Sequence, residues 1–477
     1  MTRAPRTRIA PSPTGIAHVG TLYMALFDYA LAKKNNGQFL VRIEDTDRAR
    51  FVEGAEQAIF EALDWAGVHE DESPRVGGPY APYKQSERLE IYQKYADQLL
   101  DENKAYYCFC TSDELTAMRL EQQKQKLPPK YDGRCRHIDP QEAKRRVAAG
   151  ENSVIRLKIP AGESTWNDLV RGPVTIDHNQ VDEQVLMKSD GFPTYHLAVV
   201  VDDHLMEVTH IIRGEEWISS TPKHILLYDL FGWEKPEFAH MPLLRNADRS
   251  KLSKRKNDVS ILSYREQGFL PEALLNFLML MGWSHPEGQE FISLEEFVRD
   301  FTFDRVQTTG PIFDTDKLRW MNGKYLREHL SEVELIERLQ PFIPADCPAE
   351  MIANILPLVR ERLVTLKDWE QLTAFFYRDI SHNKELLLKK LSPEEAAEYL
   401  ESTIATVEGL PWSVEDLETS IRALQEEHDW HKSKFFMLLR VAVTGETATP
   451  PLFETMQVLG KEKTLQRLTQ ALDAVRA

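Results

Sequence analysis

The chain has 477 residues, 58 Lys and Arg against 75 Asp and Glu, a formal net charge of −17 and 42% hydrophobic residues. That length predicts about three domains with room for several cores, and the composition excludes a chain disordered throughout. The longest apolar runs fall short of the roughly 18 residues a transmembrane helix needs, and Pro5, Pro11 and Pro13 stand where a signal peptide would be apolar. A cytoplasmic protein with no membrane partner is expected.

In chain order, residues 7–10 predict a short strand, 22–30 a helix and 38–43 a buried strand. Leu22, Ala25, Leu26, Tyr29 and Ala30 recur at the i, i+3, i+4, i+7 spacing of one helix face. Apolar runs at 154–159, 185–188, 195–201 and 208–212 read as later strands. Strands alternating with helices favour an α/β fold with a parallel sheet. From about 328 strands stop, and helical patterns at 332–339, 351–366 and 393–407, between Pro-containing breaks, predict an all-α remainder. Charge is uneven along the chain. Between 245 and 256 lie six cations against Asp248 alone, whereas between 394 and 429 lie eleven acids against Arg422 alone. The acidic run reads as a solvated helix face, and the basic loop suggests a phosphate partner.

Two stretches carry phosphate chemistry. Pro11-Ser12-Pro13-Thr14-Gly15-Ile16-Ala17-His18-Val19-Gly20-Thr21 joins the first strand to the first helix, where unpaired backbone N–H groups and the helix dipole attract an anion. Gly20 leaves room for a ligand to approach the backbone, and His18 can donate to a phosphate oxygen. Alone, the stretch could equally be a Pro-rich turn and cap. Within the basic loop, Ser250-Lys251-Leu252-Ser253-Lys254-Arg255 offers mobile ammonium groups to neutralise charge growing on an attacked phosphorus.

The cysteines form a separate pattern. Cys108-Phe109-Cys110 is followed, after residues 111–134, by Cys135-Arg136-His137, a C-x-C…C-x-H set whose Cys3His donors suit one structural zinc. The bland alternative is three incidental buried thiols.

HVGT at 18–21 and KLSKR at 251–255 together resemble the paired signatures of class I aminoacyl-tRNA synthetases. The resemblance narrows with Arg8-Ile9-Ala10-Pro11-Ser12-Pro13-Thr14-Gly15, Val41-Arg42-Ile43-Glu44-Asp45-Thr46-Asp47-Arg48, Tyr195-His196-Leu197-Ala198, Val201-Asp202-Asp203-His204 and Arg213-Gly214-Glu215-Glu216-Trp217. In this order they identify the chain as a member of the bacterial glutamyl-tRNA synthetase family. The similarity is strong over the N-terminal two thirds, to Leu318-Arg319-Trp320-Met321-Asn322-Gly323, and continues by type and length.

The resemblance implies a Rossmann-type catalytic region over 1–325, with an acceptor-binding insertion near 80–190 and a stem-contact segment near 245–325. An all-helical anticodon-binding region over 326–477 follows. It implies that Arg8, Ala10, Ser12, Glu44, Tyr195 and Arg213 hold L-glutamate. The arginines would take the side-chain carboxylate in a bidentate way that an amide cannot fully copy. For ATP, carried with Mg2+, it implies His18, Gly20, Thr21, Glu216, Trp217, Leu243, Leu244, Lys251, Leu252 and Lys254, with His18, Lys251 and Lys254 catalytic. Arg362 resembles by position an arginine that reads the third anticodon base of tRNA-Glu. Relatives can carry Asn where this chain has Val199, which removes a polar group from that part of the pocket. Some members have the cysteine spacing and others lack it. A monomer is expected from family habit. Rival readings are a glutamyl-queuosine tRNA synthetase-like enzyme, which typically lacks the helical domain, and a glutaminyl-tRNA synthetase, which usually ends in β-barrels. From another class, a non-catalytic tRNA-binding protein would have no use for both signatures.

Overall fold

The computed structural model describes residues 3–253 and 258–477, and the chain divides into two compact units. One is Met1–Tyr264 with Leu274–Thr315, the other Arg265–Ala273 with Asp316–Ala477.

In the first unit, β1 (Arg6–Ile9) pairs in parallel with β2 (Gln38–Val41). Between them runs α1 (Val19–Lys34), with Lys33 and Lys34 at its negative C-terminal end. Val19, Leu22, Leu26 and Phe27 of α1 are fully buried, so the apolar face read from the sequence is wider than one stripe. The chain continues through α2 (Ala55–Ala66), α3 (Leu89–Asp101), β3 (Ala105–Cys108), α4 (Ser112–Lys124), α5 (Pro140–Ala148) and β4 (Val154–Leu157). There follow β5 (Glu163–Asp168), β6 (Gly172–Asp177), β7 (Val185–Met187), α6 (Tyr195–Leu205), β8 (His210–Gly214), α7 (Thr221–Phe231) and β9 (Glu237–Met241).

Strands β3, β4 and β7 form an antiparallel sheet in the order β3-β4-β7, with α4 and α5 inserted between its first two strands. The other sheet runs β6-β5-β9-β8; β8 and β9 are parallel, and β6 is an antiparallel edge on β5. Strand β8 also lies along β1, where the Thr209 N–H donates to the Arg6 carbonyl at 2.9 Å. The carboxyl ends of β1, β2, β8 and β9 therefore open on one side, where open α/β sheets bind ligands.

One element differs from expectation in kind. Residues 195–201, read as a strand, belong to helix α6. Leu197 through Asp203 are all buried, so the run lacks the polar face whose period tells helix from strand.

The second unit is helical, with no strand among the described residues. Helices span Glu332–Leu339, Ala349–Val359, Asp368–Tyr377, Pro393–Glu408, Val414–Glu427, Lys432–Thr444, Leu452–Leu459 and Lys461–Arg476. The helix expected over 351–366 stops at Val359. Arg360 there donates to the Leu326 and Leu330 carbonyls at 3.2 and 2.5 Å, and Asp368, the first residue of the next helix, holds the intervening turn by accepting from the Val364 and Thr365 N–H groups at 3.0 and 2.7 Å. The acids Glu394, Glu395, Glu398, Glu401 and Glu408 are exposed, the solvated face expected of the acidic run. No helix among the described residues is long and apolar enough to cross a membrane.

Candidate active site

At the carboxyl ends of β1 and β8 lies a cavity of about 920 Å³. It is lined by every described member of the two residue sets that the resemblance implies: Arg8, Ala10, Ser12, Glu44, Tyr195 and Arg213, and His18, Gly20, Thr21, Glu216, Trp217, Leu243, Leu244, Lys251 and Leu252. Lys254 lies outside the described residues. Val199 is buried within α6 and is not part of the cavity wall.

One end of the cavity is built by the cap of α1. His18 is the N-cap residue, and its Nδ1 accepts from the Gly20 N–H at 2.9 Å. A neutral ring that accepts at Nδ1 carries its proton on Nε2, which makes that atom the donor. Opposite, the short helix Glu215–Ser220 follows β8 directly. Gly214 leaves room for the Glu216 carboxylate, whose Oε2 would lie 1.9 Å from a Cβ there. Glu216 in turn accepts from Lys251 Nζ at 3.0 Å, and Lys251 is mostly exposed. Trp217 packs on Tyr195 with ring centroids 4.4 Å apart.

The other end is charged and buried. Arg8 donates from Nε and Nη2 to the two oxygens of Asp203 at 3.0 and 3.2 Å. Arg42 shares Asp203 at 2.7 Å and donates to Glu44 at 3.1 Å. The neighbouring Asp202 accepts from Arg88 at 2.7 Å, Gln85 at 2.9 Å and Tyr92 at 2.8 Å. Burial opposes ionisation of Asp203, but Arg8 and Arg42 outweigh it and hold the carboxyl below its ordinary range. Glu44 goes the other way, since burial, only partly offset by Arg42, pushes it up to about 7. Arg213, at the end of β8, donates to His240, His224 and Thr221. Asp28 of α1 also lines the cavity, fully buried, and burial raises its carboxyl well above the carboxylate range.

The sequence reading missed Arg42, Asp203, His224, His240 and Asp28. Arg42 and Asp203 stood inside quoted motifs without a role. The signal available was a pair of adjacent acids ending an apolar run, which a buried helix tolerates only with cationic partners.

The thiols come together as expected, but His137 does not join them. Cys108, Cys110 and Cys135 place their sulfurs within 4.8 Å of one another, and Cys110 and Cys135 are 3.6 Å apart. Two tight turns, Arg136 N–H to the Gly133 carbonyl and Ile138 N–H to the Cys135 carbonyl, carry His137 past the cluster to an exposed position. The group facing the thiols instead is the Tyr131 hydroxyl, 3.3 Å from Cys108 Sγ and 3.5 Å from Cys110 Sγ. Three sulfurs at this spacing fit zinc, whose tetrahedral S···S edge is about 3.8 Å.

Residues 5–320 match the family of class I tRNA synthetase (E and Q) catalytic domains, and 334–472 match an anticodon binding domain. A glutamate–tRNA ligase of Thermus thermophilus is 50% identical over 472 residues, 98% of this chain and 99% of that one. The chain belongs to the glutamate–tRNA ligase family. A further family member, from Acidothermus cellulolyticus, is 47% identical over 482 residues, covering 98% of this chain and 95% of its own. Among solved structures, a glutamate tRNA ligase from Elizabethkingia meningosepticum in complex with its amino acid superposes with a TM-score of 0.89. It is 36% identical, with 99% of each chain covered.

Proposed function

We propose that the chain ligates L-glutamate to the 3′-terminal adenosine of tRNA-Glu at the expense of ATP. What carries the reading is that a buried cationic floor, Arg8 and Arg213, shares one cavity with the His18 cap of α1 and with Lys251. The side-chain carboxylate of glutamate sits at the arginines with the Tyr195 hydroxyl beside it, and the α-ammonium at Glu44. The α-carboxylate oxygen attacks the α-phosphorus of ATP, the bond to the β-phosphate oxygen breaks, and glutamyl-adenylate and pyrophosphate form. A terminal ribose hydroxyl of tRNA then attacks the acyl carbon, loses its proton and expels AMP. Neither step needs an enzyme nucleophile; orientation and charge stabilisation by His18, Lys251 and Lys254 supply the acceleration. Magnesium arrives with the nucleotide and neutralises phosphate charge. The helical second unit reads the anticodon, and the protein works as a cytoplasmic monomer.

The deciding experiment is charging of separate tRNA-Glu and tRNA-Gln transcripts with labelled glutamate. Charging of tRNA-Glu alone is expected. Failure with both, alongside pyrophosphate exchange, would favour a glutamyl-queuosine-type enzyme, and failure without exchange a non-catalytic binder.

We further propose that Cys108, Cys110 and Cys135 hold one structural zinc with the Tyr131 oxygen nearest the fourth position. Zinc content of one per chain is expected for the wild type and for His137→Ala, and less than half of that for Cys110→Ser.

A further inference from the structure

The two arginines at the floor of the cavity are treated in opposite ways. Arg8 is neutralised within the fold by both oxygens of Asp203. Arg213 is equally buried, yet no carboxylate lies within ion-pair distance of it among the described residues. Its donors go to neutral acceptors: Nε to His240 Nε2 at 3.1 Å, Nη1 to His224 Nδ1 at 2.9 Å and Nη2 to Thr221 Oγ1 at 2.8 Å.

A guanidinium has only donors, so each ring nitrogen facing it must be unprotonated, and this sets both tautomers. His224 accepts at Nδ1 and donates from Nε2 to His196 Nδ1 at 3.0 Å. His240 accepts at Nε2 and therefore carries its proton on Nδ1, which meets Asp168 Oδ2 at 2.5 Å. Burial holds all three rings neutral: His224 well below its ordinary value, His240 below it, His196 down to about 3. Asp168 is itself locked, since its Oδ1 accepts from the backbone N–H groups of His240, Val170 and Arg171 at 3.1, 3.1 and 3.0 Å. Only Oδ2 remains for the ring.

We propose that Asp168 and His240 are positioning residues: the tautomer they impose keeps an acceptor facing Arg213 Nε and so holds this uncompensated guanidinium in place for the substrate side-chain carboxylate. The inference rests on the reading that the glutamate side chain docks at Arg213. Asp168→Asn tests it with little change of shape. The amide oxygen keeps the three backbone bonds, and the amide nitrogen replaces Oδ2 and donates to His240 Nδ1. The ring must then carry its proton on Nε2, donor against donor at Arg213.

In steady-state aminoacylation, D168N is expected to raise KM for glutamate tenfold or more, with kcat within about threefold and KM for ATP unchanged. Its preference for glutamate over glutamine should fall in parallel. His240→Gln supplies an acceptor at the Nε2 position that does not depend on a tautomer, so the D168N/H240Q double variant should recover most of the loss. Unchanged KM in D168N, equal effects on glutamate and ATP, or no recovery in the double variant would each overturn the proposal. Should D168N fail to fold, His240→Asn, which keeps a donor toward Asp168 but loses the acceptor, is compared with His240→Gln; equal KM for the two overturns it. Arg213→Ala separates the inference from its premise. If that variant leaves KM for glutamate unchanged, the docking reading fails. If it raises KM while D168N does not, only the positioning role fails.

Discussion

Glu44 shows how one residue can carry the pH behaviour of a site. Its carboxyl is buried beside Arg42, and burial pushes it up to about 7 from an ordinary 4.5. Between those values the folded chain binds more protons at this position than the unfolded chain, so the group's contribution to stability falls as pH rises through that window. An ammonium group bound at Glu44 favours the ionised form, so ligand and deprotonation assist each other. The expected outcome is that kcat/KM for glutamate rises with pH up to about 7 and then levels, and that Glu44→Gln gives a lower, flat profile. A pH-independent wild-type profile would remove Glu44 from the ammonium site. The sequence disclosed that Arg8, Glu44 and Arg213 belong together, because motif order identifies them. It did not disclose their electrical state, because Asp203 meets Arg8 across 195 positions of chain and Asp168 meets His240 across 72.

Among elements, those with one wet face were legible. The helix Glu332–Leu339 begins with a capping box, Ser331 and Glu334 exchanging bonds, and Pro393–Glu408 begins with another at Ser392 and Glu395, so pattern and cap agree on both boundaries. Helix α6 was illegible for the opposite reason. Its central turns are buried, and its acids sit near its C-terminal end, where the dipole disfavours them and Arg8, Arg42 and Arg88, with Gln85 and Tyr92, make them tolerable. Strand registers depend on close approach that composition does not reveal. Gly37, between α1 and β2, lies so near Pro5 that a Cβ would be 1.9 Å from its carbonyl oxygen, the atom that accepts from the Gln38 N–H at 2.9 Å. Gly37→Ala should therefore cost more than about 2 kcal/mol, since rigid backbone must move and the β1–β2 register with it. Denaturant melts measure this, and a loss below half of that would show that the turn relaxes.

For the molecule as a whole, a net charge of −17 has to be reconciled with a polyanionic partner; acids such as Glu394, Glu395, Glu398, Glu401 and Glu408 line an exposed helix face in the second unit, and a nucleic acid is expected to approach elsewhere. In the turn Arg360–Arg362, Arg360 is consumed by backbone carbonyls and Arg362 is exposed. Arg362→Ala is expected to narrow the preference for tRNA-Glu over tRNA-Gln at least threefold while leaving stability within about 0.5 kcal/mol, as for a surface change. An unchanged preference would show that the anticodon is read elsewhere. What the sequence determined by itself was the family, the set of residues that meets at the cavity, and the helices with one exposed face, because ordered motifs and hydrophobic period are properties of the chain alone. What only the tertiary structure decided was that 195–205 is a helix, that His137 turns away from the thiols toward which Tyr131 turns, and that of two buried arginines one is neutralised and the other is not. Each of these depends on partners brought from distant parts of the chain, and burial, charge pairing and tautomer are set by that neighbourhood.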